Sequence, residues 1–239
     1  MSKRLKETVI VVGGSGGIGK GIIKKASTRA DRIIATYKTK KPTIKKVEWH
    51  YFDINNEDSW KELENIAKNF SDRLITLIFC IGIPSSKNLI VDTPIDEWIQ
   101  LYKINCLSFI KLYLLFKNII RKNKSSVIVL SSDTTVKCNP KNGSYSSSKS
   151  ALEATVITLA KEEIKYGVRI NILCPSLLDS PLGDYILKLK GIQSKKDFVK
   201  NLPLNRLLKI EEVSEIVLSI AMDSHWSYIS GQVIRVSNN

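Results

Sequence analysis

Histidine is scarce in this chain of 239 residues: only His50 and His225 occur, far apart and each isolated. That scarcity argues against a histidine metal centre and against a Ser-His-Asp triad, so no metal site is expected. Cysteine is sparse as well. Cys80, Cys106, Cys138 and Cys174 are widely separated and form no Cys-x-x-Cys pair, and they read as reduced, mostly buried thiols of a cytoplasmic protein. Long apolar runs are missing too, since none approaches the roughly 18 residues that span a bilayer. Behind the charged start Met1–Glu7, only Thr8–Val12 is apolar before glycines interrupt it, too short for a secretory core. Acidic residues are outnumbered 23 to 37 by lysine and arginine, giving a formal net charge of +14. Lysines outnumber arginines 29 to 8 and are spread along the chain. Nucleic-acid sites instead gather arginine and aromatic residues on one face, so no nucleic acid is expected as a partner. A basic surface would still draw an acidic protein towards it.

What remains is ordinary for a protein with a sizeable core: 43% hydrophobic and 25% charged residues,. Short apolar runs at Thr8–Val12, Arg32–Tyr37, Val47–Asp53, Leu74–Cys80, Ser126–Leu130, Arg169–Cys174 and Val233–Val236 read as strands. Most are unbroken Val/Ile/Leu stretches, as in a parallel sheet covered on both faces. Helical periodicity fills Gly17–Ala30, Ser59–Asn69, Pro94–Lys122, Ser144–Tyr166 and Ile210–Ala221. Strand–helix alternation of this kind predicts a single-domain α/β fold over residues 1–239, a Rossmann-type doubly wound parallel sheet of about seven strands flanked by helices. No linker or repeat divides it. The stretch 181–203 breaks the pattern and reads as an irregular flap over a site.

The first strand runs into Gly13-Gly14-Ser15-Gly16-Gly17-Ile18-Gly19 and then a helix. Gly14-x-Gly16-x-x-Gly19 and Gly13-x3-Gly17-x-Gly19 can both be read here, and both suit a pyrophosphate at a helix N-terminus. A site for NAD would place a carboxylate about 20 positions further on to bond the ribose. This chain has Thr36-Tyr37-Lys38-Thr39-Lys40-Lys41 there, so Lys38 or Lys40 would meet a 2′-phosphate and NADP(H) is favoured over NAD(H). Beyond the third strand, Asp53-Ile54 would touch the adenine edge, or Asp53 would begin a turn with Asn55-Asn56.

Tyr-x3-Lys occurs three times, at Tyr37/Lys41, Tyr113/Lys117 and Tyr145/Lys149. Residues four apart share a helix face, which brings an ammonium near a phenol. Only the third pair opens a helix just after a strand end, where ligands bind in an open parallel sheet; Ser131 and Ser132 lie at that same end.

Gly13-x3-Gly17-Ile18-Gly19, Asn105, Ser132 and Tyr145-x3-Lys149 together resemble the short-chain dehydrogenase/reductases. The separation of 13 between Ser132 and Tyr145 is the family's usual one. The match extends through Asn171-Ile172-Leu173-Cys174-Pro175-Ser176 to Tyr228-Ile229-Ser230-Gly231-Gln232-Val233. The resemblance implies that Tyr145 exchanges a proton with the substrate oxygen and Ser132 bonds that oxygen. It implies that Lys149 favours the phenolate and holds the cofactor ribose, while Asn105 kinks its helix and holds a water that links Lys149 to solvent. It places the cofactor against Gly13, Ser15, Gly17, Ile18 and Gly19, then Tyr37, Lys38, Asp53 and Ile54, then Cys80 and Gly82. Pro175, Leu178 and Ser180 would meet the nicotinamide end.

Val12, Phe79-Cys80-Ile81 and Ser176 depart from the family pattern, which marks a divergent member. Length and the segment Pro203-Leu204-Asn205-Arg206…Glu211-Glu212-Val213 are most similar to the 3-oxoacyl-carrier-protein reductases, so the expected substrate is a β-keto thioester on an acidic acyl carrier protein. Arg121, Lys122, Lys124 and Lys165 would form its docking patch. A reductase of a free sugar, polyol or secondary-metabolite ketone is the second expectation, and a non-catalytic nucleotide-binding regulator the third. The family's usual assembly implies a homotetramer or homodimer built on the long helices.

Overall fold

A computed structural model describes residues 6–237; the charged start at Met1–Leu5 and the final Asn238-Asn239 lie outside the described residues. Seven strands form one parallel sheet: β1 (Glu7–Val12), β2 (Arg32–Tyr37), β3 (Glu48–Tyr51), β4 (Arg73–Phe79), β5 (Ser126–Leu130), β6 (Arg169–Pro175) and β7 (Val233–Val236). Their order is β3-β2-β1-β4-β5-β6-β7, so the direction of winding reverses between β1 and β4. The helices are α1 (Gly17–Ala26), α2 (Glu57–Lys68), α3 (Ile95–Tyr102), α4 (Ser108–Asn123), α5 (Thr134–Lys137), α6 (Gly143–Glu163), α7 (Pro181–Leu189), α8 (Lys195–Lys200) and α9 (Ile210–Met222).

Because successive side chains of a strand point to opposite faces, β1 splits its residues between two cores. Val9 and Val11 pack with Ile22 and Ile23 of α1 and Val213 and Val217 of α9. Ile10 and Val12 face Phe109, Leu112 and Phe116 of α4 and Leu152 and Val156 of α6. Both faces are covered, which is why the strands read as unbroken apolar runs.

Three expectations need correction. The predicted helix Pro94–Lys122 is broken by a π-helical turn, Lys103–Leu107. The run Ile95–Asn123 is nonetheless long and apolar enough, by length and composition, to cross a membrane, although half of its most apolar window is buried inside the fold. The first helix stops at Ala26, not Ala30: Ser27 and Thr28 hydroxyls bond back to the Lys24 and Lys25 carbonyls and close it in turns, as Ser and Thr do where they compete with helix bonds. The stretch 181–203 is not irregular, because it carries α7 and α8. Ser180 caps α7 through Gly183 N–H (3.0 Å), with Pro181 in the first turn; Ser194 caps α8 through Asp197 N–H (3.2 Å). Those cap signals were readable in the sequence, but the helices are too short to show periodicity.

Candidate active site

The turn after β1 is built on backbone geometry. Gly13 has φ +88°, and a Cβ at Gly19 would stand 2.4 Å from the Gly13 carbonyl oxygen, so no side chain fits where α1 packs on the turn. Gly13 N–H donates to the buried Thr36 hydroxyl (2.8 Å) and Ser15 N–H to the Thr36 carbonyl (3.2 Å). Gly16 and Gly17 are exposed at the start of α1, which has no side-chain cap and no acidic residue in its first turn. Uncapped donors at the positive end of a helix dipole suit an anionic pyrophosphate, so the turn fits a dinucleotide.

A cleft of about 600 Å³ opens beyond the C-terminal ends of β4, β5 and β6. Ile18, Cys80, Gly82, Ser132, Tyr145, Lys149, Pro175, Leu178 and Ser180 all line it. Lys149 is buried, and its ammonium donates to the carbonyls of Leu130 (3.0 Å) and Ile81 (3.5 Å); Gly82 lies against it. Burial pushes Lys149 down to about 8, against the pull of nearby Cys174, Cys80 and Glu153,. Burial likewise pushes Tyr145 up to about 12, opposed by its hydrogen bond with Ser132. The Ser132 hydroxyl also accepts from Thr134 N–H (3.3 Å) and lies 3.0 Å from the Thr134 hydroxyl. Cys80 and Cys174 are driven by burial to about 12, and such thiols are not nucleophiles at neutral pH,.

Asn105 sits in the π turn and is fully buried. Its carboxamide accepts from Ile83 N–H (2.9 Å) and donates to the Ile83 carbonyl (3.1 Å) and the Ser148 hydroxyl (3.1 Å). Asn105 thus sits where the π turn interrupts the helix. Its carboxamide is engaged on both sides, where it fixes the chain beside Lys149.

The adenosine side differs more from expectation. Tyr37 packs edge-on against Trp49 and Tyr51. Lys38 is exposed and pairs with Asp53 (3.1 Å). Asp53 also accepts from Asn55 N–H (3.0 Å), so the turn reading holds, and the Ile54 side chain is buried. Of the other two Tyr-x3-Lys pairs, Tyr37 ends a strand and Tyr113 is a core ring.

Several residues in or beside the cleft escaped the sequence. Asn142, three positions before Tyr145, receives the Lys87 ammonium. Glu153, two turns beyond Tyr145 on the same helix, accepts from Ser131 (2.6 Å) and Cys174 (3.2 Å) and meets Arg235 (3.4 Å). Its place four residues after Lys149 was the available signal. Arg121 in the expected docking patch is bonded at two points to Glu163 (2.8 and 2.6 Å) and stacks on Tyr166.

A protein-family model described as "Enoyl-(Acyl carrier protein) reductase" matches residues 13–238. Among curated proteins, the chain is 30% identical over 242 residues to the 3-oxoacyl-[acyl-carrier-protein] reductase of Buchnera aphidicola subsp. Schizaphis graminum, covering 97% of this chain and 96% of that one. It is 28% identical to the enzyme of the same name from Buchnera aphidicola subsp. Acyrthosiphon pisum, with the same coverage. The solved structure "ElxO with NADP Bound" superposes with a TM-score of 0.85 at 20% identity over 97% of both chains. The aldohexose dehydrogenase of Thermoplasma acidophilum gives 0.86 at 22% over 97% of this chain and 92% of that one.

Proposed function

We infer, from the premise that the chain belongs to the short-chain dehydrogenase/reductase family and is an NAD(P)-dependent oxidoreductase, that its cleft carries out NADPH-dependent reduction of a ketone. The observation that carries this reading is the meeting of Ser132, Tyr145 and Lys149 in one cleft beside the glycine turn. When bound, the cofactor supplies the hydride. Gly13, Ser15, Gly17, Ile18 and Gly19 would hold its pyrophosphate at the α1 N-terminus. Lys38, paired here with Asp53, would meet a 2′-phosphate, which would favour NADP(H) over NAD(H). Pro175, Leu178 and Ser180 stand at the nicotinamide end.

The protein's part is positional and protonic. Tyr145, held protonated by burial, donates its phenolic proton to the carbonyl oxygen as negative charge develops there. Ser132 steadies that oxygen with a hydrogen bond and lowers the cost of the phenolate left behind. Lys149, a buried cation two carbonyls deep, holds the ribose and stabilises the phenolate by its charge. Asn105 fixes the Ile81–Ile83 backbone against which Lys149 is braced.

For the substrate, the relatives' names support a 3-oxoacyl thioester on an acyl carrier protein, and the four free cysteines suit a reducing compartment such as the cytoplasm,. Lys122, Lys124 and Lys165 remain exposed for docking. One observation favours a free small-molecule ketone instead: Arg121, central to that patch, is committed to Glu163. NADPH oxidation with a short 3-oxoacyl thioester, compared between wild type and Tyr145→Phe, tests the reading. Turnover should fall by about a hundredfold or more with NADPH affinity retained; an unchanged rate overturns the role of Tyr145.

A further inference from the structure

Six lysines and arginines line the cleft among the described residues, Lys87, Lys137, Lys149, Lys190, Arg206 and Arg235, against only Asp133 and Glu212 as acids. Four of the cations are accounted for. Lys137 pairs with Asp133 (2.6 Å), Arg206 with Glu212 (2.7 Å) and Arg235 with Glu153 (3.4 Å), while Lys149 rests on carbonyls. Lys87 and Lys190 make no ion pair with a carboxylate among the described residues. The acid nearest in influence to Lys87 is Glu97, and Glu97 is already bonded by the hydroxyls of Ser86 and Ser144.

Lys87 is also built into place. Its backbone is left-handed, φ +68°, a conformation that costs a non-glycine residue energy and persists only where the surroundings enforce it. The Glu97 carboxylate clamps the preceding residue through Ser86 N–H (3.3 Å). The Lys87 ammonium then bonds the buried Asn142 carboxamide and lies 5.9 Å from the centre of the Tyr145 ring. Half-buried there, it is pushed below the ordinary lysine range by desolvation and by the charge of Lys190, the last residue of the α7 region. Lys87 and Lys190 line the same cleft, and neither is neutralised by a carboxylate, so an anion entering there meets two available cations.

We propose that the ketone reduced here carries an oxyanion, a carboxylate or a phosphate, close to its carbonyl group and seated between Lys87 and Lys190. This rests on the ketoreductase reading and takes its free-ketone alternative, because a 3-oxoacyl thioester carries no oxyanion beside its ketone. Lys87 comes from the loop after β4 and Lys190 from the end of α7, so a bound oxyanion would tie the two walls of the cleft together.

The test compares matched probes in excess NADPH: 4-oxopentanoate against its methyl ester, and hydroxyacetone phosphate against hydroxyacetone. Wild type should favour the charged member of at least one pair in kcat/KM by about tenfold or more, the usual worth of a charged hydrogen bond. Whichever pair shows the preference identifies carboxylate or phosphate. Lys87→Gln and Lys190→Gln should each erode it, and Lys87→Arg should restore it. Equal use of charged and neutral members, or a preference that survives both glutamine variants, overturns the proposal. Calorimetric binding of the same probes to the NADPH complex separates the two layers of inference. Charged probes that bind through Lys87 without any NADPH oxidation would sink the ketoreductase reading while sparing the anion site. Charged probes that bind no more tightly than neutral ones would sink the anion site.

Discussion

Lys149 must be a cation in surroundings that disfavour cations, and its pH behaviour follows from that conflict. Its pKa in the free protein lies near 8, below the ordinary value. The ammonium is the working form, so kcat/KM for ketone reduction should fall as pH rises through about 8, a limb that a pH–rate profile reads directly. For stability the sign is opposite. A lysine with a depressed folded pKa costs stability in full below pH 8, and that cost fades as pH rises towards 10.5,. Lys38 is tested by cofactor choice: Lys38→Glu should weaken NADPH binding by about tenfold or more and NADH binding far less, measured by titrating each cofactor. Equal effects on both would refute its contact with a 2′-phosphate. These residues were legible in the sequence for different reasons. Tyr145, Lys149 and Ser132 stood out by spacing relative to a strand end. Lys87 did not, because one lysine among 29 carries no signal until its backbone conformation and the Asn142 contact single it out.

At the scale of elements, the seven strands were readable because each is apolar on both faces, and their ends were placed within about two residues. The π turn was not readable from residue periodicity, since Lys103–Leu107 carries no mark of an extra residue in the helix; only the resemblance, through Asn105, pointed to an irregularity there. The flap helices were missed for lack of length. Their anchoring is specific: the Lys195 ammonium in α8 bonds both Asp179 and Asp184 (2.7 Å each), tying α8 to the chain entering α7. Leu182, Ile186 and Phe198 hang from these helices into the cleft. Exposed ion pairs add little to global stability, so Lys195→Ala should shift Tm by less than about 4 °C. It should instead raise KM several-fold and speed tryptic cleavage within 181–203, followed by gel densitometry. Unchanged KM and unchanged cleavage would show that the clasp does not hold the flap.

For the whole molecule, the long helices leave an apolar strip uncovered. Leu114 is 57% exposed in a groove with Ile110, Ala154 and Leu159 between α4 and α6. A homotetramer or homodimer built there would bury it, and Leu114→Asp should then lower the mass found by analytical ultracentrifugation; an unchanged mass places the interface elsewhere. Sequence indicated this face only through the family's habit, because helical periodicity does not tell a core stripe from a stripe kept for a second copy. The sheet order has a further consequence, in time and not in space. The cleft straddles strands distant in the chain, with Glu7 of β1 paired to Arg73 of β4 and Ile172 of β6 to Val233 of β7. Helices can form within their own segments, whereas these pairings must first close loops of roughly 60 residues. A refolding chain therefore regains its helical signal well before it regains a site able to move a proton.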